Sequence, residues 1–98
     1  QKNFREKDLN EKKRSLFQEW LQKGVVCLLL DARKPGVKVP KEFASAGDLR
    51  LNFSHGFFIP DFNFNESAVW ATLSFSAGEF FCSVPWQTVY GMESAVLG

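Results

Sequence analysis

The sequence predicts a mainly β domain, a small open barrel or sandwich carrying one α-helix at its N-terminal end. Three observations lead there. From Val25 onward, apolar residues alternate with polar ones or run in short blocks, and turn residues break them at close spacing. Gly24, Gly36, Gly47, Gly56, Gly78 and Gly91 are spread about one per predicted turn. Before Gly24 the apolar residues recur instead at helical spacing. The 98 residues suffice for a single domain, 1–98, with a single core.

Taken in order, Gln1 to Lys7 is polar and is expected to fray. Asp8-Leu9-Asn10-Glu11 reads as a variant capping box, which predicts a helix over about residues 9–23 with Gly24 as its left-handed stop. Leu9, Leu16, Phe17, Trp20 and Leu21 form one apolar stripe, and Lys12, Lys13, Arg14, Gln18 and Gln22 cover the rest. Such a stripe packs on its own sheet, on a second copy, or on both.

The stretch Val25 to Phe43 organises the rest of the chain. Val25 to Leu30 is an apolar run that reads as a strand and is too short to span a membrane. Asp31 ends it, and Pro35-Gly36 reverses the chain. Val37 and Val39 alternate with Lys38 and Pro40 in a second short β segment, which Pro40 assigns to an edge or a strand end. After a connector and a Gly47-Asp48 turn, Leu49, Leu51 and Phe53 alternate with Arg50, Asn52 and Ser54 in a half-buried strand. His55 to Pro60 is a loop by its Gly and Pro, yet Phe57, Phe58 and Ile59 sit at its centre. Phe62 and Phe64 mark a short strand, and Asn65-Glu66-Ser67 a turn. Val69 to Phe75 and Phe80 to Val84 are strands joined by a hairpin at Ser76 to Glu79. Trp86 to Val89 predicts one helical turn, and Tyr90 to Leu97 a last strand, so that a β meander runs over about residues 25–97.

Composition narrows the function. Lys and Arg number 12 against 11 Asp and Glu, a net charge of +1, which supplies no field to draw nucleic acid. The basic residues before Gly24 are interleaved with acids, as on a solvated helix face. Eleven phenylalanines and three tryptophans exceed what a small core readily holds, so some are expected to line a groove or an interface. Cys27 and Cys82 lie in apolar runs and read as buried free thiols of a reduced cytoplasmic protein; they pair only if their strands are neighbours. No signal peptide, transmembrane run or metal-ligand spacing is visible, and no cofactor is implied.

Candidate catalytic groups are sparse. His55 is the one histidine, and nothing in its surroundings marks Ser54 as an activated nucleophile. Asp31 and Asp61 stand beside turns, where a capping role suffices. No Gly-rich phosphate loop is present. The chain is therefore not expected to be an enzyme. The loop from Ser54 to Pro60 is the binding candidate: Phe57, Phe58 and Ile59 either plug one end of the barrel or wall a groove. A peptide suits such a groove, because a sheet edge offers backbone hydrogen bonds and aromatic side chains offer pockets.

The order of motifs resembles a known family. F-x-E-W-L at Phe17 to Leu21 precedes L-L-D at Leu29 to Asp31, then P-G-V-K-V-P at Pro35 to Pro40 and K-E-F-A at Lys41 to Ala44. The Gly47 turn, L-R-L-N at Leu49 to Asn52 and S-V-P at Ser83 to Pro85 complete the set. This ordered set is similar to the stringent starvation protein B (SspB) family, bacterial adaptors of the ClpXP protease. The resemblance implies a helix on a small Sm-like open β barrel and a homodimer built through that helix, here through Leu9, Leu16, Phe17 and Trp20. It also implies a groove for the ssrA tag of stalled translation products, and tethering of tagged substrates to the unfoldase. ClpX contact is expected through a C-terminal tail absent from this chain.

Two departures from the family pattern fall at the groove. The loop, usually rich in small residues, carries Phe57 and Phe58, and the strand that usually reads N-A-R-F is Thr72-Leu73-Ser74-Phe75, with Ser74 in place of the arginine. The residues expected at the peptide are Phe57, Phe58, Thr72 and Ser74, with Ala71 as floor. An RNA-binding Sm-like module and a dimeric scaffold without a peptide site are the alternatives; the near-neutral charge counts against the first.

Overall fold

The computed structural model describes residues 2–94, with side chains from Asp8 onward. Helix α1 runs Lys2–Leu21 and so begins well before the expected capping box. Asp8 lies inside the helix rather than at its cap. Residues 2–7 contain neither Gly nor Pro and include good helix formers, so nothing stops the helix from extending through them. At the other end the Gln22 and Lys23 amides close onto the Glu19 and Trp20 carbonyls at 3.3 and 2.9 Å. Gly24 then takes a φ of 148°, positive as glycine permits but well beyond the left-handed helical well.

Six strands follow: β1 Val26–Leu30, β2 Leu49–Phe53, β3 Asn63–Phe64, β4 Ala68–Phe75, β5 Gly78–Pro85 and β6 Val89–Ser94. They form two three-stranded antiparallel sheets, ordered β2-β1-β6 and β3-β4-β5. This is the mainly β barrel or sandwich with an N-terminal helix that the sequence predicts, but it is not a simple meander: β6 leaves β5 and pairs with β1. A 3-10 turn at Trp86–Thr88 makes that corner. The last three residues of the expected final strand, 95–97, lie outside the described residues.

The predicted β segment around Val37 is reduced to one bridge. Lys38 and Ser83 exchange amide-carbonyl hydrogen bonds of 2.8 and 3.0 Å, so the Pro35-Gly36 reversal carries the chain to β5 of the far sheet. Gly36 adopts φ 90°, and a Cβ there would stand 2.9 Å from Pro85 Cγ. Pro40 ends the pairing, as its missing N–H requires.

The core fills from alternation. Val26, Leu28 and Leu30 of β1 point inward with Leu51 and Phe53 of β2, and meet Val69, Ala71 and Leu73 of β4 and Cys82 and Val84 of β5. The helix contributes Phe17 and Leu21. Phe17 is fully buried and meets Phe53, Phe64 and Trp86 edge-on at ring-centroid distances of 5.7, 5.2 and 5.3 Å. Trp86 donates its indole N–H to the Asn65 carbonyl at 2.7 Å, and Lys13 Nζ donates to the Trp86 carbonyl at 3.0 Å. The helix is thereby fixed to the corner where the two sheets join.

Cys27 and Cys82 are both buried free thiols. They lie on β1 and β5, which belong to different sheets, so they are not strand neighbours. Desolvation pushes the Cys82 thiol up to about 11. Among the described residues no helix is long and apolar enough to cross a membrane.

Candidate functional site: a groove between two strand edges

β2 is an edge strand, paired on one side with β1. β4 is covered by β3 only at Val69 and Trp70, so its edge from Thr72 to Phe75 meets no strand among the described residues. These two edges face one groove of about 920 Å³. Arg50, Leu51 and Asn52 form one wall, Thr72 to Phe75 with Glu79 the other, and the loop from Phe57 to Asp61 closes one side.

Backbone direction along β4 follows from Asp61. Its carboxylate accepts the Thr72 amide at 2.9 Å and the Thr72 hydroxyl at 2.6 Å. Those two bonds hold the Asp61 carboxyl below its usual range. The Thr72 N–H therefore points away from β5, and with a period of two the Ser74 amide does the same. Asp61 substitutes for a strand partner at Thr72, and the next outward-facing position, Ser74, opens into the groove.

The loop is built around Ser54. Its buried hydroxyl accepts the Gly56 amide at 3.0 Å and starts a 3-10 turn at His55–Phe57. The turn ends on Phe58, which takes φ 54° and ψ 44°, a left-handed conformation rare for a bulky residue. Phe58 is 87 % exposed and Phe57 46 %. The apolar trio divides: Ile59 packs against the core, while Phe57 and Phe58 stand on the lip of the groove. His55 is exposed and lies against the Phe62 ring at 5.7 Å.

Of the expected peptide residues, the structure brings Phe57, Phe58, Thr72 and Ser74 together at the groove. Ala71 is not its floor: it is fully buried, faces Cys82 across the ladder and belongs to the core. Alternation explains this, since Val69, Ala71 and Leu73 share the inward face. Thr72 reaches the groove with its hydroxyl already committed to Asp61. The stripe expected at a dimer interface also divides. Phe17 lies inside its own protomer and Trp20 packs partly on the core, whereas Leu9 and Leu16, 54 % and 41 % exposed, share an outward face seven residues apart.

Arg50, Asp61 and Glu79 were not foreseen at the groove. Arg50 reads in the sequence as the wet face of β2, and it is engaged at 3.0 Å with Glu93 of β6. Asp61 reads as a turn residue; its partner lies eleven positions away, at a distance no local pattern reports. Glu79 faces Ser74 directly across the β4–β5 ladder, which follows once the hairpin register is known. No group of three or more His, Cys, Asp or Glu residues placed to hold a metal ion occurs among the described residues.

Comparison with protein-family models and with curated proteins gave no match.

Proposed function

We propose that this domain is a peptide-binding adaptor whose groove takes an extended segment by strand addition, in the manner of the SspB proteins its motif order resembles. The observation that carries the reading is the pair of unpaired strand edges, β2 and the end of β4, facing one groove with an aromatic lip. An extended peptide satisfies such edges through its backbone, while Phe57 and Phe58 supply apolar contact area. In this reading the ligand is an ssrA-type degradation tag and the consequence is delivery to ClpXP in the cytoplasm. The domain acts by tethering, without catalysis and without a cofactor. ClpX is then reached through a tail that follows this domain. The outward face of α1 at Leu9 and Leu16, with the edge of Trp20, receives a second copy around a two-fold axis.

Isothermal titration with an ssrA-type tag peptide, and separately with a single-stranded RNA, tests this. Saturable one-to-one binding of the peptide per protomer and none of the RNA are expected. Heat from the RNA alone, declining steeply with salt, would replace the adaptor reading with an RNA-binding one.

A further inference from the structure

Charged side chains are unevenly placed around the groove. Ser74 is the outward position at the open end of β4, and a carboxylate stands on each side of it. Glu79 lies directly across the ladder, where facing Cβ atoms are about 5 Å apart. Asp61 is bound at Thr72, the preceding position on the same face. Arg50, the cation of the opposite wall, is already paired with Glu93 at 3.0 Å. Neither Asp61 nor Glu79 forms an ion pair among the described residues.

We infer that the groove selects extended apolar segments carrying a lysine or arginine over Ser74, and discriminates against segments with an acidic residue there. The inference rests on the peptide-groove reading and adds to it the chemistry of the bound segment. A cation over Ser74 meets both carboxylates, and the Ser74 hydroxyl accepts a third hydrogen bond from it. An acidic side chain in that place meets two like charges and loses its water. Because Asp61 is held by Thr72, its carboxylate is fixed in place before the ligand arrives and loses little freedom on binding. Exposed ion pairs are weak one at a time, so the selectivity comes from exchanging attraction for repulsion at both carboxylates.

Fluorescence anisotropy tests this with three series of labelled ten-residue peptides that share a five-residue apolar core taken from an ssrA-type tag. They carry Lys, Gln or Glu, scanned through the five positions preceding the core. At low salt, one register is expected to show roughly threefold to twentyfold tighter binding for Lys than for Glu, with Gln between. The ratio shrinks toward one in about 0.5 M salt, where screening acts within a few ångströms. Asp61→Asn removes the charge and keeps both bonds to Thr72, since the amide oxygen accepts the backbone N–H and the amide nitrogen donates to the hydroxyl. That variant and Glu79→Gln should each reduce the ratio, and the double variant should abolish it. Ser74→Arg, which places a cation between the carboxylates in cis, should remove the preference for Lys. Equal affinity for the three peptides in every register, or tighter binding of Glu, overturns the inference while leaving the groove as a peptide site. Failure of all the peptides to bind overturns both.

Discussion

Replacing Phe58 separates the contribution of a side chain to folding from its contribution to binding. A fully enclosed phenylalanine withdraws roughly 200 Å² from water. At 87 % exposure Phe58 withdraws about an eighth of that, roughly 25 Å², or about 0.6 kcal/mol at ~25 cal/mol per Å². Its left-handed backbone costs about 1 kcal/mol for a residue with a Cβ. Phe58→Gly loses the first quantity and recovers the second, while the freer unfolded chain takes back about 0.5–1 kcal/mol. The three nearly cancel, so urea denaturation should place Phe58→Gly within about 1 kcal/mol of the parent. Phe58→Ala, which keeps the strain and loses the ring, should be slightly less stable than the parent. Binding responds differently. A tag that covers two-thirds of the ring buries about 130 Å² more, worth up to about 3 kcal/mol, and truncated aromatic anchors lose about 1–3 kcal/mol. Titration should therefore show both variants weakened by roughly fivefold to 150-fold. A folded Phe58→Gly protein whose peptide Kd stays within twofold of the parent would refute the assignment of this ring to the ligand. Destabilisation beyond about 2 kcal/mol would refute the claim that the ring contributes little to the fold.

Other consequences are equally open to measurement. Phe17→Ala should cost about 3–5 kcal/mol in chemical denaturation, because the fully buried ring it removes packs on Phe53 of one sheet and Phe64 of the other; a loss under 1 kcal/mol would contradict the packing. Leu16→Glu, by contrast, should leave the monomer's stability nearly unchanged while shifting sedimentation from dimer to monomer, and an unaltered dimer would remove α1 from the proposed two-fold interface. The folded pKa of Asp61 lies below its unfolded value, so the stability it contributes is complete above about pH 4 and disappears as pH falls through the lower folded value. Asp61→Asn should flatten that part of the stability–pH curve, and a curve identical to the parent's would show that the bonds to Thr72 are not kept in solution. With Cys82 fully buried and its thiol pushed up to about 11, a thiol reagent at pH 8 should label it only at the rate of unfolding. Labelling that outruns unfolding would show that the core opens locally.

The fold was legible where one periodicity decided the outcome. Leu49, Leu51 and Phe53, or Val69, Ala71 and Leu73, alternate cleanly, and each set faces the core, Leu49 from its partly buried end. The misreadings occurred where a local signal met a longer-range force. Asp8 resembles a cap, but helix formers precede it and the helix continues through it. Val37 to Val39 reads as a short β segment, yet Gly36 and Pro85 approach closely and only Lys38 pairs, with Ser83 of β5. Phe17 and Leu16 are adjacent in one stripe, and only the direction of each side chain decides that the first is core and the second is surface. At the groove, the aromatic residues could be found because large apolar side chains are conspicuous in a loop of Ser, His and Gly. Its carboxylates could not, because Asp61 and Glu79 acquire their places only from the pairing of β4 with segments on either side.

The edges of β2 and β4, unpaired among the described residues, also bear on self-association. A strand edge with free amides and carbonyls is a template for any other strand, and sheets that leave one exposed invite stacking with their own kind. Here residues of both edges line one groove, and the loop that carries Phe57 and Phe58 lines it with them. An approaching sheet rim brings its neighbouring strands with it, whereas a single extended segment does not. On the proposed peptide-groove reading, the loop beside both edges therefore hinders an intact sheet more than a loose chain end, and the groove discriminates by whether the approaching chain is folded.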